Sequence, residues 1–249
     1  MNKIFYFSAT GNSLFAAKRI AAELPGKLQN LLACGGEQVE AERVVIVSPV
    51  HAFGLPAQTA DFVNALKTEA PVWMVLTYGG APMGADRAAY EACRKAGLDI
   101  RAVFLVKMVE NFTVFVPVPL RFGRRALKKA PARIERVTQK IKENAAFEPK
   151  GKRSGRADSE EGRSGWNQMG KRFSVTEDCV GCGKCAALCP AHNITMEDGR
   201  PVFGDKCTAC LGCYHRCPKK AIRFGKFKYK FRYFCPLVNE SELNINKED

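Results

Sequence analysis

The sequence predicts two folded units, a doubly wound parallel α/β domain and a smaller α+β domain after it. In the first 147 residues, apolar runs alternate with amphipathic stretches, which is the pattern of a parallel sheet covered by helices on both faces. Eight of the eleven cysteines are concentrated between Cys179 and Cys217. Residues 148–170 are rich in glycine, serine and charge, and they predict a linker without a core. We therefore expect domains at 1–147 and 171–225, with a C-terminal extension at 226–249.

Strands and helices are expected to alternate along the first domain. The predicted strands are short apolar runs at Ile4–Phe7, Val44–Val47, Val72–Leu76 and Ile100–Val106. The predicted helices carry apolar residues at helical spacing and lie at Leu14–Leu24, Phe62–Leu66, Ala85–Ala96 and Leu127–Ile141. Pro25–Gly26 stops the first helix, and Pro131 is expected to start or kink the last one.

The composition is that of a folded protein, with 46% hydrophobic and 26% charged residues among 249. No apolar run approaches the roughly 20 residues that span a bilayer, and we expect a cytoplasmic protein without a transmembrane segment. The net charge of +14 would attract acidic proteins, anionic cofactors, nucleic acid or membrane surfaces without choosing among them.

The clustered cysteines form two copies of one motif. Each copy has the spacing C-x2-C-x2-C-x3-C-P, and the two quartets are Cys179, Cys182, Cys185 and Cys189, then Cys207, Cys210, Cys213 and Cys217. In a reduced compartment such clusters indicate metal binding rather than disulfides. Zinc sites ordinarily use paired C-x2-C knuckles, so two zinc sites or a disulfide knot are the less favoured alternatives. The motif is typical of two [4Fe-4S] clusters.

The spacing also predicts crossed ligation, because three closely spaced thiolates wrap one cluster while the fourth, next to its proline, reaches the other. One cluster is expected to take Cys179, Cys182, Cys185 and Cys217, and the other Cys207, Cys210, Cys213 and Cys189. Between the quartets, Ile194–Met196 and Val202–Phe203 predict a hairpin, and Ala221–Phe224 predicts a further strand. Residues 171–225 resemble the bacterial two-cluster ferredoxins at every ligand position and at both prolines.

The turn after the first strand predicts a phosphate-binding loop. It lies directly before a helix and consists of Ser8, Ala9, Thr10, Gly11, Asn12 and Ser13. Inward-turned backbone N–H groups and the helix N-terminus can hold a phosphate there without a lysine. The sequence lacks G-x-x-x-x-G-K-[ST] and G-x-G-x-x-G here, which counts against a nucleotide triphosphatase and an ordinary dinucleotide fold. A plain capping turn with Ser or Thr at the N-cap is the alternative.

Two later loops are expected beside this turn, because a sheet ordered 2-1-3-4-5 binds ligands beyond the carboxyl ends of its central strands. One loop contains Pro49, Val50, His51, Ala52, Phe53 and Gly54. The other contains Thr77, Tyr78, Gly79 and Gly80. Residues 1–147 resemble flavodoxin, whose FMN phosphate loop matches Ser8 and Thr10–Ser13. That resemblance implies that the isoalloxazine ring of FMN lies between the two later loops.

The candidates for a ring stacked on the flavin are His51, Phe53 and Tyr78. His51 either hydrogen-bonds the flavin or a substrate, or it is satisfied by loop backbone. The order of the two domains resembles the EFR-type flavodoxin–ferredoxin fusion family. That family carries Met-Pro-x-Asn-Tyr after its last strand, of which Met108 and Asn111 are present here. The apolar continuation at residues 112–120 either covers the flavin or packs against the ferredoxin domain, and ordinary packing is the favoured role.

The segment Lys226–Tyr233 alternates basic and aromatic residues, which predicts an extended strand. The favoured role is packing of the aromatic face on a domain. A platform for single-stranded nucleic acid and a docking surface for an acidic redox partner are the alternatives.

Together these features predict an FMN- and iron–sulfur-dependent oxidoreductase that passes single electrons between two [4Fe-4S] clusters and an FMN and reduces a small acceptor. The expected partner is a redox protein or a small-molecule acceptor. A non-catalytic electron carrier is the first alternative, and a nucleic-acid-binding module with structural clusters is the least favoured. The sequence marks no catalytic acid–base pair and sets no oligomeric state.

Overall fold

The computed structural model describes residues 1–114, 120–151, 168–226 and 231–243, with the backbone alone at residues 120–122. The predicted linker therefore lies largely outside the described residues, as do positions 115–119 and 227–230 of the two segments discussed above. Within the described residues, no helix combines the length and the apolar character that a membrane span requires.

The first domain is built on a five-stranded sheet in the order β2-β1-β3-β4-β5. Every neighbouring pair is parallel, and the strands are β1 (Asn2–Tyr6), β2 (Gly26–Asn30), β3 (Val44–Pro49), β4 (Val72–Tyr78) and β5 (Ile100–Lys107). The central strands β3 and β4 are buried on both faces, which is why they read as continuous apolar runs in the sequence. The predicted doubly wound fold and its strand order are confirmed.

Helices cover both faces of this sheet. They are α1 (Asn12–Glu23), α2 (Ala57–Ala65), α3 (Ala85–Lys95) and α4 (Leu120–Lys142). The helices α1 and α4 pack on the face that carries Ile4, Val45 and Trp73, and α2 and α3 pack on the face that carries Phe5 and Ile46. The two faces alternate along each strand because successive side chains point to opposite sides.

The sequence did not locate β2, and it placed the start of α4 too late. The β2 sequence GKLQN is half-exposed and has no apolar run to mark it. A Cβ at Gly26 would lie 2.3 Å from the carbonyl oxygen of Asn2, so only glycine allows β2 to approach β1 this closely. Helix α4 begins before Pro131 and contains it, so the proline does not start the helix.

The second domain is small and has two short sheets. Strand β6 (Phe173–Val175) pairs antiparallel with β9 (Ile222–Phe224), and β7 (Ile194–Glu197) pairs with β8 (Arg200–Phe203) as the predicted hairpin. Helical turns at Lys184–Ala187 and Gly212–Arg216 follow the first cysteines of each quartet. The core of this domain is apolar and contains Phe173, Tyr214, Ile222 and Phe224.

Residues 231–243, which we call the C-terminal segment, return to the first domain. Tyr233, Cys235, Val238 and Leu243 are buried in the same core as α1 and α4. The two domains therefore meet through a third stretch of chain that belongs to the core of the first. This packing places the C-terminal segment directly behind the turn that joins β1 to α1.

Candidate functional site

The turn between β1 and α1 has the geometry of an anion-binding loop. Gly11 is the N-cap of α1 and has a left-handed backbone conformation, with φ of 92°. No described side chain caps the helix, and no acidic residue lies in its first turn. The capping-turn alternative, which needed Ser or Thr at the N-cap, is therefore wrong. The first-turn N–H groups of α1 remain available to a negatively charged ligand.

Hydroxyl groups hold this turn in shape rather than capping the helix. The Ser8 Oγ accepts a hydrogen bond from Gly11 N at 3.1 Å. The Ser13 Oγ lies 2.8 Å from the Thr77 Oγ1, which ties the turn to the end of β4. These bonds fix the backbone before a ligand arrives, so little ordering remains to be done on binding.

A large open depression, which we call the central cleft, lies beyond the carboxyl ends of β1, β3 and β4. Its volume is about 530 Å³, within the range of small-molecule and cofactor sites. All of the predicted flavin-site residues line it except Gly11 and Gly54. Gly11 contributes through the helix cap, and Gly54 closes its loop by exchanging backbone hydrogen bonds with His51 at 2.9 and 3.0 Å.

Six further residues line the cleft that the sequence did not assign to it. They are Ala81, Val109, Glu110, Asn111, Phe112 and Ala209. The four at 109–112 follow β5, and only Phe112 among them belongs to the segment 112–120 for which the sequence left packing and flavin contact open. Ala209 comes from the second domain, and no local pattern signals that contact. The central cleft is therefore walled by both domains.

His51 is an uncharged side chain at the wall of the central cleft. Burial lowers the pKa of His51 to about 4, although a backbone hydrogen bond with Thr208 acts in the opposite direction. The ring meets Phe7 edge-on, with centroids 6.4 Å apart. Its Nδ1 atom has no hydrogen-bond partner among the described residues. His51 thus contacts the second domain through Thr208 while keeping one ring nitrogen unpaired.

The cysteines of the two quartets line two separate cavities. The outer cysteine cavity brings together Cys179, Cys182, Cys185 and Cys217. The inner cysteine cavity brings together Cys189, Cys207, Cys210 and Cys213. Each cavity therefore combines three cysteines of one quartet with the fourth of the other, and the proline after that fourth cysteine lines the same cavity.

The donor chemistry of these cavities fits iron–sulfur clusters. Backbone N–H groups point at sulfur, with Asn193 N 3.3 Å from Cys189 Sγ and Ala221 N 3.3 Å from Cys217 Sγ. Burial raises the pKa of Cys210 to about 12, so its thiolate needs a positive centre beside it at neutral pH. Four thiols around one cavity match the number of protein ligands that a [4Fe-4S] cluster takes.

The inner cysteine cavity adjoins the central cleft, and the outer one lies at the surface. Ala209, between Cys207 and Cys210, lines the cleft, and a Cβ at Gly212 would lie 3.7 Å from Ala9. Gln58 Nε2 donates to Thr208 Oγ1 at 3.2 Å across the same junction. In contrast, Cys182 is exposed and its neighbour Val180 is 60% exposed.

His215 joins the two domains and the C-terminal segment at one ring. Its Nε2 lies 2.6 Å from the carbonyl oxygen of Asn111, and its Nδ1 accepts from Tyr233 N at 3.0 Å. Because a carbonyl only accepts, the ring carries its proton on Nε2. Burial lowers the pKa of His215 to about 4, so the ring is neutral. Asn111 in turn donates from its side chain to Thr10 Oγ1 at 3.2 Å.

The C-terminal segment supports the turn between β1 and α1 from behind. Cys235 N donates to the Thr10 carbonyl oxygen at 2.8 Å, and the Tyr233 hydroxyl donates to Asn12 Oδ1 at 2.6 Å. Asn12 Nδ2 donates to the Val109 carbonyl oxygen at 2.9 Å. One continuous set of hydrogen bonds thus links the first turn of α1, the loop after β5 and the end of the chain.

The described part of the alternating basic and aromatic segment is used for packing. Tyr233 is buried and Phe231 packs against the core of the first domain. The Arg232 guanidinium lies 3.3 Å from the centroid of the Tyr214 ring and donates to the carbonyl oxygens of Lys220 and Ile222. These groups are not available as a stacking platform for nucleic acid.

The comparisons with known proteins identify the second domain. The family model described as a 4Fe-4S dicluster domain matches residues 178–222. One subunit of the ion-translocating oxidoreductase complex from Methanosarcina acetivorans is 44% identical over 45 residues, 18% of this chain and 17% of the relative. One subunit of the Na⁺-translocating ferredoxin:NAD⁺ oxidoreductase complex from Acetobacterium woodii is 46% identical over 46 residues, 18% of this chain and 14% of the relative.

The chain spans about a fifth or less of the length of these curated relatives. Similar solved structures align with more than half of the chain, but at low similarity. A flavodoxin from the domain Archaea has 17% identity and a TM-score of 0.37, covering 57% of this chain and 99% of that one. A Fusobacterium nucleatum flavodoxin variant bound to flavin mononucleotide has 16% identity and a TM-score of 0.40, covering 58% and 96%.

The sheet order β2-β1-β3-β4-β5, with helices on both faces and a cleft at the switch between β1 and β3, is the flavodoxin topology. The second domain carries the repeated cysteine motif, and the family match covers its residues 178–222. The chain therefore joins a domain with the flavodoxin-like α/β fold to a second domain in which residues 178–222 match the family described as a 4Fe-4S dicluster domain.

Proposed function

We propose that this protein is an FMN- and iron–sulfur-dependent oxidoreductase. One observation supports this proposal most directly. The loop of the inner cysteine cavity forms part of the wall of the central cleft, through Ala209. Residues Ser8–Ser13 would hold the FMN phosphate, and each cysteine cavity would hold one [4Fe-4S] cluster. When bound, the clusters supply one-electron steps and the flavin couples these to two-electron chemistry.

The outer cysteine cavity, the inner cysteine cavity and the central cleft follow one another from the surface inward. Cys182 and Val180 leave the outer cysteine cavity open to a redox partner at the surface. The inner cysteine cavity lies between it and the central cleft, where the Cys207–Cys213 loop contacts Ala9 and Gln58. The network through His215 holds these parts at fixed separation, which electron transfer between neighbouring centres requires.

The primary test is anaerobic purification followed by counting iron, acid-labile sulfide and flavin per chain. About eight iron atoms, eight sulfides and one FMN are expected. Stepwise reduction with dithionite should then bleach the iron–sulfur absorbance and the flavin absorbance in the same protein. Zinc in place of iron, or a chain that binds no FMN when the flavin is supplied in excess, would overturn the proposal.

A carrier that passes electrons between partner proteins is the second candidate, because the Glu and His side chains among the described residues that line the cleft are not poised to donate a proton. The Glu110 carboxylate accepts from Gly80 N at 2.8 Å and from Phe112 N at 2.7 Å. His51 is neutral, as described above. Turnover of small acceptors by the reduced protein at rates independent of any added redox protein supports the oxidoreductase, and turnover only with such a protein supports the carrier.

A further inference from the structure

A second depression, which we call the basic cavity, shares part of its wall with the central cleft. Its volume is about 400 Å³. It is lined by Gly79, Lys107, Met108, Glu110, Gly123, Arg125, Ala126, Lys129 and Arg133. Gly79 and Glu110 line both depressions, and a Cβ at Gly79 would lie 2.3 Å from the Glu110 Cα. A single layer of backbone therefore forms the boundary between the two.

Four cationic side chains converge on the basic cavity. Lys107 is the last residue of β5, while Arg125, Lys129 and Arg133 are four residues apart along α4 and share one face of the helix. Like charges at this spacing repel one another and destabilise a helix. An anion bound between them would relieve that repulsion. The other cations of α4, such as Arg124 and Lys128, do not line the cavity.

The cavity keeps an excess of positive charge. Among the described residues that line it, Glu110 is the one acidic residue, and both of its carboxylate oxygens already accept backbone N–H groups. Within the described part of the chain, no carboxylate forms an ion pair with Lys107, Arg125 or Lys129. Arg133 is held at the wall, because its Nη1 donates to the carbonyl oxygens of Lys107 and Ala126 at 3.0 and 3.3 Å.

We propose that the basic cavity is a binding subsite for a small polyanion that carries phosphate or carboxylate groups. Arginine and lysine at one concave site provide the forked and point-charge donors that such groups accept. The concave shape and the volume favour a small molecule over the flat surface of an acidic protein. Beside the central cleft, the subsite would hold the charged end of the electron acceptor. That last role rests on the proposed function, whereas anion binding itself does not.

The test is calorimetric titration of the FMN-loaded full chain, at fixed ionic strength, with inorganic pyrophosphate in one arm and citrate in the other. FMN loading is measured first by fluorescence. The matched variants are Lys129→Glu, which reverses a charge inside the cavity, and Lys128→Glu, which makes the same change on a neighbouring residue of α4 outside it. We expect Lys129→Glu to weaken binding about tenfold or more and Lys128→Glu to leave it nearly unchanged.

The outcomes separate the two proposals. A chain that fails to load FMN but binds pyrophosphate through Lys129 contradicts the proposed function and supports the subsite. Equal losses in the two variants would show diffuse attraction by net charge and would overturn the subsite. Failure of both small anions to bind would overturn it as well. Arg125→Gln, which keeps the size of the side chain roughly constant, repeats the test should Lys129→Glu unfold, and the two probes separate phosphate from carboxylate recognition.

Discussion

Gly11 is constrained twice, by its backbone and by its neighbours. Its φ of 92° is a conformation that residues with a side chain adopt only with strain. A Cβ there would also lie 2.7 Å from Val238 Cγ2 and 2.9 Å from Cys235 Cβ. The first constraint is common to many turns. The second couples the turn between β1 and α1 to the C-terminal segment, so any side chain at residue 11 must push the two apart.

Substitution of Gly11 by alanine should therefore impair flavin binding more than backbone strain alone explains. Gly97 is the matched control, because its φ of 78° is also left-handed but a Cβ there would meet nothing within 4 Å. Both variants should lose about 1–2 kcal/mol in the free energy of unfolding from backbone strain. Only Gly11→Ala should weaken FMN binding, by about tenfold or more, measured by flavin fluorescence quenching. Equal FMN affinities in the two variants would contradict this coupling.

Tyr233 supports the same turn through one hydroxyl group. Removing that hydroxyl in Tyr233→Phe leaves Asn12 Oδ1 without its donor in a buried site, which should lower the free energy of unfolding by about 1–3 kcal/mol. We also expect weaker FMN binding, since Asn12 is the first residue of α1. Tyr90→Phe on α3 is a control away from the cleft. A Tyr233→Phe protein as stable as the control would show that the bond contributes little.

His51 makes the stability of the fold dependent on pH. Its pKa is depressed from 6.5 to about 4 in the folded protein, so the unfolded chain binds the extra proton first as the pH falls. The stabilisation is complete above about pH 6.5 and is lost as the pH falls towards 4, by up to about 3 kcal/mol. Chemical unfolding at a series of pH values should show this loss, and His51→Gln should remove the part that His51 contributes while leaving the part from His215, whose pKa is also lowered to about 4. His192→Gln, at an exposed position, should leave the loss unchanged.

At the scale of elements, the two quartets allow a direct test of crossed ligation. If Cys189 belongs with Cys207, the double variant Cys189→Ser/Cys207→Ser damages one cluster and should retain about four iron atoms per chain. The double variant Cys189→Ser/Cys185→Ser then damages both clusters and should retain close to none. Uncrossed ligation predicts the reverse order of iron contents. The Cys93→Ser protein, altered at a buried cysteine of α3, is the control and should keep about eight iron atoms.

Elements with a regular pattern were predictable from the sequence, and those without one were not. The strands β3 and β4 are buried on both faces, so their apolar runs identify them. Strand β2 has one large apolar residue, Leu28, among polar ones, and β6 has only three residues, so neither shows a hydrophobic period that identifies a strand. The loop 109–112 likewise has no regular pattern that would have marked it in the sequence. Its residues reach the cleft because β5 ends beside β4, which is a consequence of topology and not of local sequence.

At the scale of the whole molecule, the sequence indicated the chemistry of each half but not how the halves meet. The hydrogen bond between Tyr233 and Asn12 joins residues 221 positions apart, and no local signal encodes such a pairing. The alternation around Tyr233 predicted an extended strand, whereas residues 231–233 pack on both domains through Phe231, Arg232 and Tyr233. The burial of that face supports the favoured packing role for these three residues.

The burial of the C-terminal segment in the first domain affects the order in which the chain can fold. The core around α1 and α4 is incomplete until Tyr233, Cys235, Val238 and Leu243 have left the ribosome. Such long-range closure is slow compared with contacts made between neighbours in the chain. The first domain therefore completes this core only after the cysteine-rich domain has been translated. If residues 8–13 hold FMN as proposed, their turn gains its support from Cys235 at the same late stage.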